Sequence, residues 1–289
     1  MRIAVTGTTG RVGAALARHL AGRHQVIQLP RADFDLTDPQ RLAIALARLD
    51  CDVFINPAGI TSLEACEDDP PAAFRVNAEA PAEIANWAAS RGVAMFHFST
   101  DYVFGGKNPG LRLEDETPEP LSVYGRSKLA GEQAVLAHPI HRVIRVSWVF
   151  GPEKPSFVDL VMDRALAGKP LAAITDKFSL PAFTRDLAEW VSRLVTSEAT
   201  GIFHACHSGE PVSWHDMAVA VVEGMVHCGV LAEAPEIVRE ALAGKAEFRA
   251  PRPQFTAMAT GRLTTVLGEP PRHWRDAIGE YVRSRCSLI

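Results

Sequence analysis

Short apolar segments rich in branched residues alternate with longer segments of helical periodicity through the first half of the chain. The apolar segments are too short for helices, whereas the segments between them repeat Ala, Leu and Arg at helical spacing. This alternation is typical of strand-helix-strand units and predicts a doubly wound, Rossmann-like parallel sheet of the α/β class. We predict strands at residues 2–6, 25–29, 52–56, 94–99 and 142–147, and helices at residues 12–20, 39–49, 71–90 and 122–137.

Capping signals and prolines indicate where the organisation changes. Thr37-Asp38-Pro39 predicts a helix start, and Ser213-Trp-His-Asp216 predicts a capping box. Beyond Gly151-Pro152, prolines interrupt the pattern repeatedly, which predicts a smaller lobe of short elements. We expect a first domain over residues 1–150 and a smaller lobe over residues 151–289. Parts of residues 183–206 are expected to return to the first domain, so that the lobes interleave.

Composition narrows the classes of partner. The 289 residues carry a formal charge of -4 without a long basic or acidic block, which argues against nucleic acid and anionic membranes as partners. Five scattered cysteines lack any C-x-x-C pair, and no His and carboxylate cluster has metal-site spacing, so we expect no disulfide framework and no metal. The absence of a signal-like or membrane-spanning apolar run favours a cytoplasmic protein.

A glycine-rich turn follows the first predicted strand. Gly7, Gly10 and Gly13 frame Arg11 and Val12 where a helix should begin. Glycines at such a turn allow close approach of a pyrophosphate, whose charge the free amides of the helix N-terminus meet. The turn therefore predicts a dinucleotide site in the first domain, and its spacing resembles that of short-chain dehydrogenases/reductases.

The end of the second predicted strand bears on the choice of dinucleotide. It carries Arg31 rather than an acid, and Arg11 is expected nearby, so a ribose 2′-phosphate would meet a guanidinium. This favours NADPH, with NADH as the alternative if Arg31 is only a solvated loop residue. Asp35 and Leu36 are expected beside the adenine.

Three further residues predict the chemistry. Tyr124 and Lys128 lie four residues apart in a predicted helix, so they share a face, and the Lys charge is expected to lower the Tyr pKa. Lys128 should also hydrogen-bond the nicotinamide ribose, and Tyr124 should supply a proton. Thr100 ends an apolar strand, where its hydroxyl would hold a substrate carbonyl. Tyr-x-x-x-Lys alone also fits a solvated helix face, but the upstream glycine turn favours a reductase.

The motifs together resemble a known family. Segments Ser99-Thr-Asp-Tyr-Val-Phe104, Val123-Tyr-Gly-Arg-Ser-Lys-Leu-Ala-Gly-Glu132 and Arg145-Val-Ser-Trp-Val-Phe-Gly151 are similar to those of the extended short-chain reductases typified by dTDP-4-dehydrorhamnose reductase. The resemblance spans nearly the whole chain. It implies an NADPH-dependent reductase of a nucleotide-linked 4-keto-6-deoxysugar. It further implies a cofactor contact for Ala58, Gly59, Asn77 and Ser99, and a deoxysugar contact for Thr61, Asp101, Tyr102 and Trp148.

Two segments depart from the family pattern. Glu64-Ala65 stands where Asp-Lys is common, and residues 177–182 read Lys-Phe-Ser-Leu-Pro-Ala instead of Gln-x-Gly-x-Pro-Thr. These departures leave the nucleotide and the sugar open. Arg252 and Lys177 are interpreted as partners of the diphosphate, with ordinary surface charges as the alternative. His97 and His204 lie in apolar runs and are expected to be packed residues.

Two other functions remain open from the sequence. A sugar-nucleotide epimerase or dehydratase shares the superfamily, although Tyr102 stands where a dehydratase of this kind needs an acid. An NADP-binding regulatory subunit resembling the beta subunit of methionine adenosyltransferase would keep the fold without turnover. We also consider a homodimer as the assembly.

Overall fold

The computed structural model describes residues 1–289, which form a six-stranded sheet flanked by helices and three two-stranded ladders. The strands are β1 (Arg2–Thr6), β2 (Gln25–Leu29), β3 (Val53–Asn56), β4 (Ala94–Thr100), β5 (Arg142–Val146), β6 (Val149–Phe150), β7 (Leu171–Ile174), β8 (Phe178–Ser179), β9 (Ala182–Phe183), β10 (Gly201–Ala205), β11 (Val212–Ser213) and β12 (Ile237–Glu240). The α-helices are α1 (Arg11–Leu20), α2 (Pro39–Arg48), α3 (Leu63–Asp68), α4 (Pro70–Phe74), α5 (Ala80–Ser90), α6 (Val123–Leu136), α7 (Phe157–Leu166), α8 (Thr184–Val195), α9 (Trp214–His227), α10 (Gly261–Leu267) and α11 (Trp274–Cys286).

The central sheet is parallel throughout, with the strand order β10-β5-β4-β3-β1-β2. The five strands predicted in the first half are all present within a residue or two of the predicted ends. The order reverses between β1 and β3, and the carboxyl ends on either side of that reversal are where doubly wound sheets bind ligands.

One predicted helix differs in the structure. The segment predicted as a helix over residues 71–90 is built from α4, a π-helical turn at Arg75–Glu79 and α5. The π turn contains Asn77, and such turns commonly occur at functional sites. The Asn77 side chain is held there by the loop after β3, through hydrogen bonds with the backbone of Ile60.

Both helix caps that the sequence predicts are present in the structure. The Asp38 carboxylate accepts hydrogen bonds from the amides of Gln40 and Arg41 at the start of α2. Ser213 and Asp216 form a reciprocal capping box at the start of α9. Each cap satisfies amides that a helix start would leave without partners.

Apolar helix stripes build one core on each face of the sheet. Leu16 and Leu20 of α1 pack with α8 on one face, and Leu42 and Ile84 of α2 and α5 pack on the other. A third core lies outside the sheet, around the fully buried Trp274 of α11 together with α7 and α9. The chain returns to the sheet through α8 and β10, which pairs with β5. None of the helices is long and apolar enough to cross a membrane.

Candidate active site

One large cavity runs along the carboxyl ends of the central strands, with a volume of about 700 Å³. Its walls come from the β1–α1 loop, the residues after β2, β3 and β4, the first turn of α6 and the residues after β5. The size is that of a small-molecule site, and the place is the topological switch of the sheet. The cavity therefore spans the region in which both predicted ligands would meet.

The glycine turn has the geometry that a phosphate site needs. Gly7 adopts φ +58°, and its carbonyl accepts a hydrogen bond from the Gly10 amide at 2.8 Å. A Cβ on Gly13 would lie 2.2 Å from the Gly7 oxygen, so only glycine fits there. The first turn of α1 has neither a side-chain cap nor an acidic residue. Its amides are thus available to an anion, and the helix dipole favours one.

The two arginines expected near a 2′-phosphate differ in availability. The Arg11 guanidinium donates to the carbonyls of Val149, Lys154 and Pro155, and burial lowers the Arg11 pKa. It therefore braces the segment after β5 while lining the cavity, so its contact with a phosphate stays a prediction. Arg31 lines the cavity with 81% of its side chain exposed, which leaves its guanidinium accessible.

Asp35 and Leu36 also line the cavity beside Arg31. The Asp35 carboxylate accepts from the backbone amide and the hydroxyl of Thr37 at 2.9 and 2.7 Å. These hydrogen bonds, the amide first, lower the pKa of Asp35. The carboxylate is held within its own loop, so a fixed negative charge lies close to the guanidinium.

The wall between β3 and α6 contains three of the four residues assigned by resemblance to the cofactor. Ala58, Gly59 and Ser99 line the cavity, whereas Asn77 does not. Asn77 is fully buried and exchanges hydrogen bonds of 2.9 Å with the amide and the carbonyl of Ile60. It therefore supports the wall from behind.

The Ser99 side chain indicates whether the cavity suits a polar ligand. Its hydroxyl is buried in the cavity wall and has no hydrogen-bond partner within the protein. Buried hydroxyls without a partner are rare because the lost hydrogen bond costs free energy. An unsatisfied hydroxyl in the same cavity as a free helix N-terminus fits a polar dinucleotide.

Thr100, Tyr124 and Lys128 line this same cavity. Thr100 is the last residue of β4, and Tyr124 lies in the first turn of α6, which Ser122 caps by accepting from the Gly125 amide. The i, i+4 spacing places Lys128 one turn further along the same face. The predicted trio is thus gathered at one place in the protein.

Protonation in this trio differs from the expectation. Burial raises the pKa of Tyr124 above its ordinary value, and the neighbouring Thr100 hydroxyl only partly opposes this. The predicted lowering by Lys128 is therefore wrong, because desolvation of the phenolate dominates. Burial also lowers the pKa of Lys128 to about 8.

A buried polar chain reaches Lys128 from the first strand. The Lys128 Nζ lies 3.4 Å from Nε2 of His97, and Nδ1 of His97 lies 3.2 Å from the amide of Asn56. Asn56 in turn contacts the Thr6 hydroxyl at 2.6 Å. His97, expected only to pack, thus also positions the Lys128 amine. A polar residue inside an apolar strand was the one sequence signal for it.

The end of the cavity that contains the residues assigned by resemblance to the deoxysugar is aromatic. Thr61, Tyr102 and Trp148 line it, and the edge of the Tyr102 ring approaches Tyr124 with centroids 5.8 Å apart. Trp148 has φ +43°, and its indole N–H is buried without a partner. Such a conformation is uncommon outside glycine and indicates a constrained functional position. Asp101 also lies in this wall.

The two cations interpreted as diphosphate partners do not line the cavity. Lys177 is fully buried, donates to the Pro253 carbonyl at 2.9 Å and lies 4.7 Å from the Tyr102 ring centre. The prediction that it contacts the diphosphate is therefore wrong. Arg252 makes a bidentate pair with Glu64 at 3.0 and 3.2 Å. That pair lowers the Glu64 pKa. It also occupies the guanidinium of Arg252, which the sequence analysis assigned to the substrate.

The topology, the glycine turn and the Tyr-x-x-x-Lys pair together define an extended short-chain dehydrogenase/reductase fold. The chain matches the family described as the RmlD substrate binding domain over residues 1–286. It belongs to that family.

Individual relatives agree with this assignment. The chain is 32% identical over 289 residues to the spore coat polysaccharide biosynthesis protein SpsK of Bacillus subtilis, covering 99% of this chain and 98% of the relative. It is 34% identical over 287 residues to the dTDP-4-dehydrorhamnose reductase of Mycolicibacterium smegmatis, covering 97% and 85%. The crystal structure of a dTDP-4-dehydrorhamnose reductase from Clostridium acetobutylicum superimposes with a TM-score of 0.89 at 27% identity, covering 99% of each chain.

Proposed function

We propose that this protein is an NADPH-dependent reductase of a nucleotide-linked 4-keto-6-deoxysugar, acting like the dTDP-4-dehydrorhamnose reductases to which it is similar. The observation that carries the proposal is the convergence of Thr100, Tyr124 and Lys128 on a cavity that begins at the glycine turn. A binding function alone requires no proton donor at that place. Membership of the family and the names of its relatives support the same conclusion.

The residues along the cavity fit a reduced dinucleotide phosphate. The amides of the first turn of α1 would hold the pyrophosphate, and Arg31 would pair with the 2′-phosphate. Ser99 and the wall residues Ala58 and Gly59 would lie along the nicotinamide half. When bound there, NADPH supplies a hydride to the carbonyl carbon.

The proton comes from the chain. Because burial keeps the pKa of Tyr124 high, the phenol stays protonated at neutral pH and acts as a general acid toward the carbonyl oxygen. Thr100 lies beside the phenol and helps to hold it in place. Lys128 holds the ribose and places a positive charge where negative charge develops, which lowers the cost of proton release in the transition state.

The sugar end supports a partly apolar ring as substrate. Tyr102 and Trp148 offer aromatic faces to the apolar side of a pyranose, and Thr61 offers a hydroxyl. Arg252 would reach a diphosphate only by exchanging its pair with Glu64 for the incoming anion. Tyr102 in place of an acid disfavours elimination, and the complete trio favours turnover over a purely regulatory role.

Location and assembly belong to the same proposal. We propose a cytoplasmic enzyme, which five free thiols favour because thiols persist in a reducing compartment. The lack of a long basic block favours the absence of a nucleic-acid partner. We further propose a homodimer, which sedimentation at several protein concentrations would test.

A substrate panel tests the function directly. Keto-sugar nucleotides carrying different bases and sugars are incubated with NADPH or NADH, and loss of reduced-nicotinamide absorbance is followed. A dTDP-linked 4-keto-6-deoxysugar should give the highest kcat/KM, with NADPH preferred. Tyr281→Phe, which removes a buried hydroxyl of a residue that does not line the cavity, serves as the control that keeps activity. Failure of every keto sugar to oxidise NADPH would contradict the proposal.

A further inference from the structure

The Asp101 carboxylate is almost completely enclosed, with 1% of the residue exposed. Its Oδ1 accepts a hydrogen bond from the Thr100 hydroxyl at 3.2 Å. Its Oδ2 accepts from Ser147 and Ser179, each at 3.0 Å, and from Thr256 at 2.5 Å. A carboxylate offers about four acceptor positions. Three hydroxyl groups of the chain therefore crowd Oδ2, and the fourth binds Oδ1.

The four donors come from two separate parts of the fold. Thr100 and Ser147 stand at the carboxyl ends of β4 and β5 in the central sheet. Ser179 belongs to β8, which pairs with β11 outside that sheet, and the Thr256 amide donates to the Phe178 carbonyl at 2.9 Å. Asp101 thus joins the end of the sheet to a unit formed by β8 and residues 254–256.

The buried charge is also balanced from the same unit. Lys177, adjacent to β8 and fully buried, is the nearby cation, and attraction to Asp101 opposes the burial that lowers the Lys177 pKa. Charged hydrogen bonds are stronger than neutral ones, and a buried carboxylate without its donors is costly. The unit is therefore favoured in one position relative to the sheet.

This arrangement fixes the catalytic threonine. The Thr100 oxygen donates to Asp101 and accepts from the Tyr102 amide at 3.2 Å, so it is held from two sides beside Tyr124. A shift of the β8 unit would move the carboxylate and with it the Thr100 hydroxyl. Displacements of about 1 Å at a reacting centre lower rates severely.

We propose that Asp101 is a positioning residue that couples the placement of the β8 unit to the orientation of Thr100, and that it acts in this way rather than as a ligand of the sugar. This role rests on the proposed reductase function, because Thr100 lies beside Tyr124, the proposed proton donor. It assigns functions to Ser179 and Thr256, neither of which lines the cavity. Ser179 also occupies the place of glycine in the resembled motif.

Two variants and their combination test the coupling. Asp101→Asn keeps the shape and removes the charge, and Thr256→Val removes a donor that lies outside the cavity. We expect kcat to fall about 10-fold to 100-fold for Asp101→Asn and about fivefold for Thr256→Val, with KM for the sugar nucleotide within about threefold of wild type. Thr256→Ser, unlike Thr256→Val, keeps the hydroxyl donor and should have the kcat of the wild type. In the Asp101→Asn background, Thr256→Val should cause no additional loss.

The outcomes are distinguishable. A raised KM with unchanged kcat in Asp101→Asn would identify a sugar ligand and overturn the proposal, as would wild-type kcat in Thr256→Val. If the wild type reduces no keto sugar, the proposed function fails, and the coupling is then measured from urea unfolding of the same variants. Non-additive shifts in the unfolding free energy support the coupling between Asp101 and the β8 unit, and additive shifts overturn it. Unchanged NADPH binding by fluorescence titration confirms that each variant is folded.

Discussion

Replacing Tyr124 by phenylalanine removes one oxygen from the cavity and leaves the ring in place. The residue is 8% exposed and packs edge-on against Tyr102, so the ring is held by its neighbours. Burial keeps the phenol protonated, which makes it an acid throughout the neutral range. The variant therefore tests proton donation separately from packing.

The expected loss is large for kcat and small elsewhere. A positioned general acid contributes about 10²-fold to 10⁴-fold, equivalent to roughly 3–5 kcal/mol of transition-state stabilisation. The unfolding free energy should change by less than about 1 kcal/mol, because one hydroxyl is lost and no buried charge is left alone. NADPH affinity should stay within about threefold, since the phenol acts mainly in the transition state.

The assay compares three proteins side by side. Steady-state NADPH oxidation gives kcat and KM for wild type, Tyr124→Phe and Tyr281→Phe, and fluorescence titration gives the NADPH Kd. Tyr281 donates to Asp159 in the third core, so its variant controls for loss of a buried phenolic hydroxyl. Turnover of Tyr124→Phe within tenfold of wild type would refute the assignment of the proton donor. A parallel collapse of NADPH binding would show that the hydroxyl serves cofactor binding and would contradict a role confined to the transition state.

Other variants test the cofactor choice and the buried charges. Arg31→Ala should weaken NADPH binding about tenfold and leave NADH binding unchanged; equal losses for both cofactors, measured by titration, would exclude a 2′-phosphate contact. Glu132→Gln should lower the unfolding free energy in urea by about 3 kcal/mol, because it leaves Arg145 buried without its bidentate partner; an unchanged midpoint would contradict this. Burial lowers the pKa of Lys177 to about 8 from 10.5, so below pH 8 the side chain is charged in the fold at a cost in stability. The unfolding free energy of the wild type should therefore rise relative to Lys177→Met between pH 8 and 10.5, by roughly 3 kcal/mol at most, and parallel pH curves would refute it.

The elements built from local patterns were predictable. The alternation of apolar and helical segments predicted the strands of the first half, and three glycines at fixed spacing predicted the turn after the first strand. The trio of Thr100, Tyr124 and Lys128 could be gathered from two short motifs, because the ends of parallel strands share an edge.

The remainder depended on partners distant in sequence. Arg11 appears free in its motif, yet the segment after β5 supplies three carbonyls to its guanidinium. Arg252 and Glu64 are far apart in the chain and neutralise one another. The pKa of Tyr124 follows from burial, which no spacing of Tyr and Lys reveals. Local patterns therefore predicted where the groups gather, and tertiary packing decided which charges stay available.

Isotope transfer follows the delivery of the hydride from the cofactor to the sugar in the cavity. The protein is incubated with NADPH deuterated at the transferable position and with a dTDP-linked 4-keto-6-deoxysugar, and the product is examined by NMR and mass spectrometry. We expect one deuterium on the sugar carbon that bore the ketone, with a matching loss of deuterium from the cofactor. Label retained in the cofactor, or a sugar altered without deuterium, would contradict it.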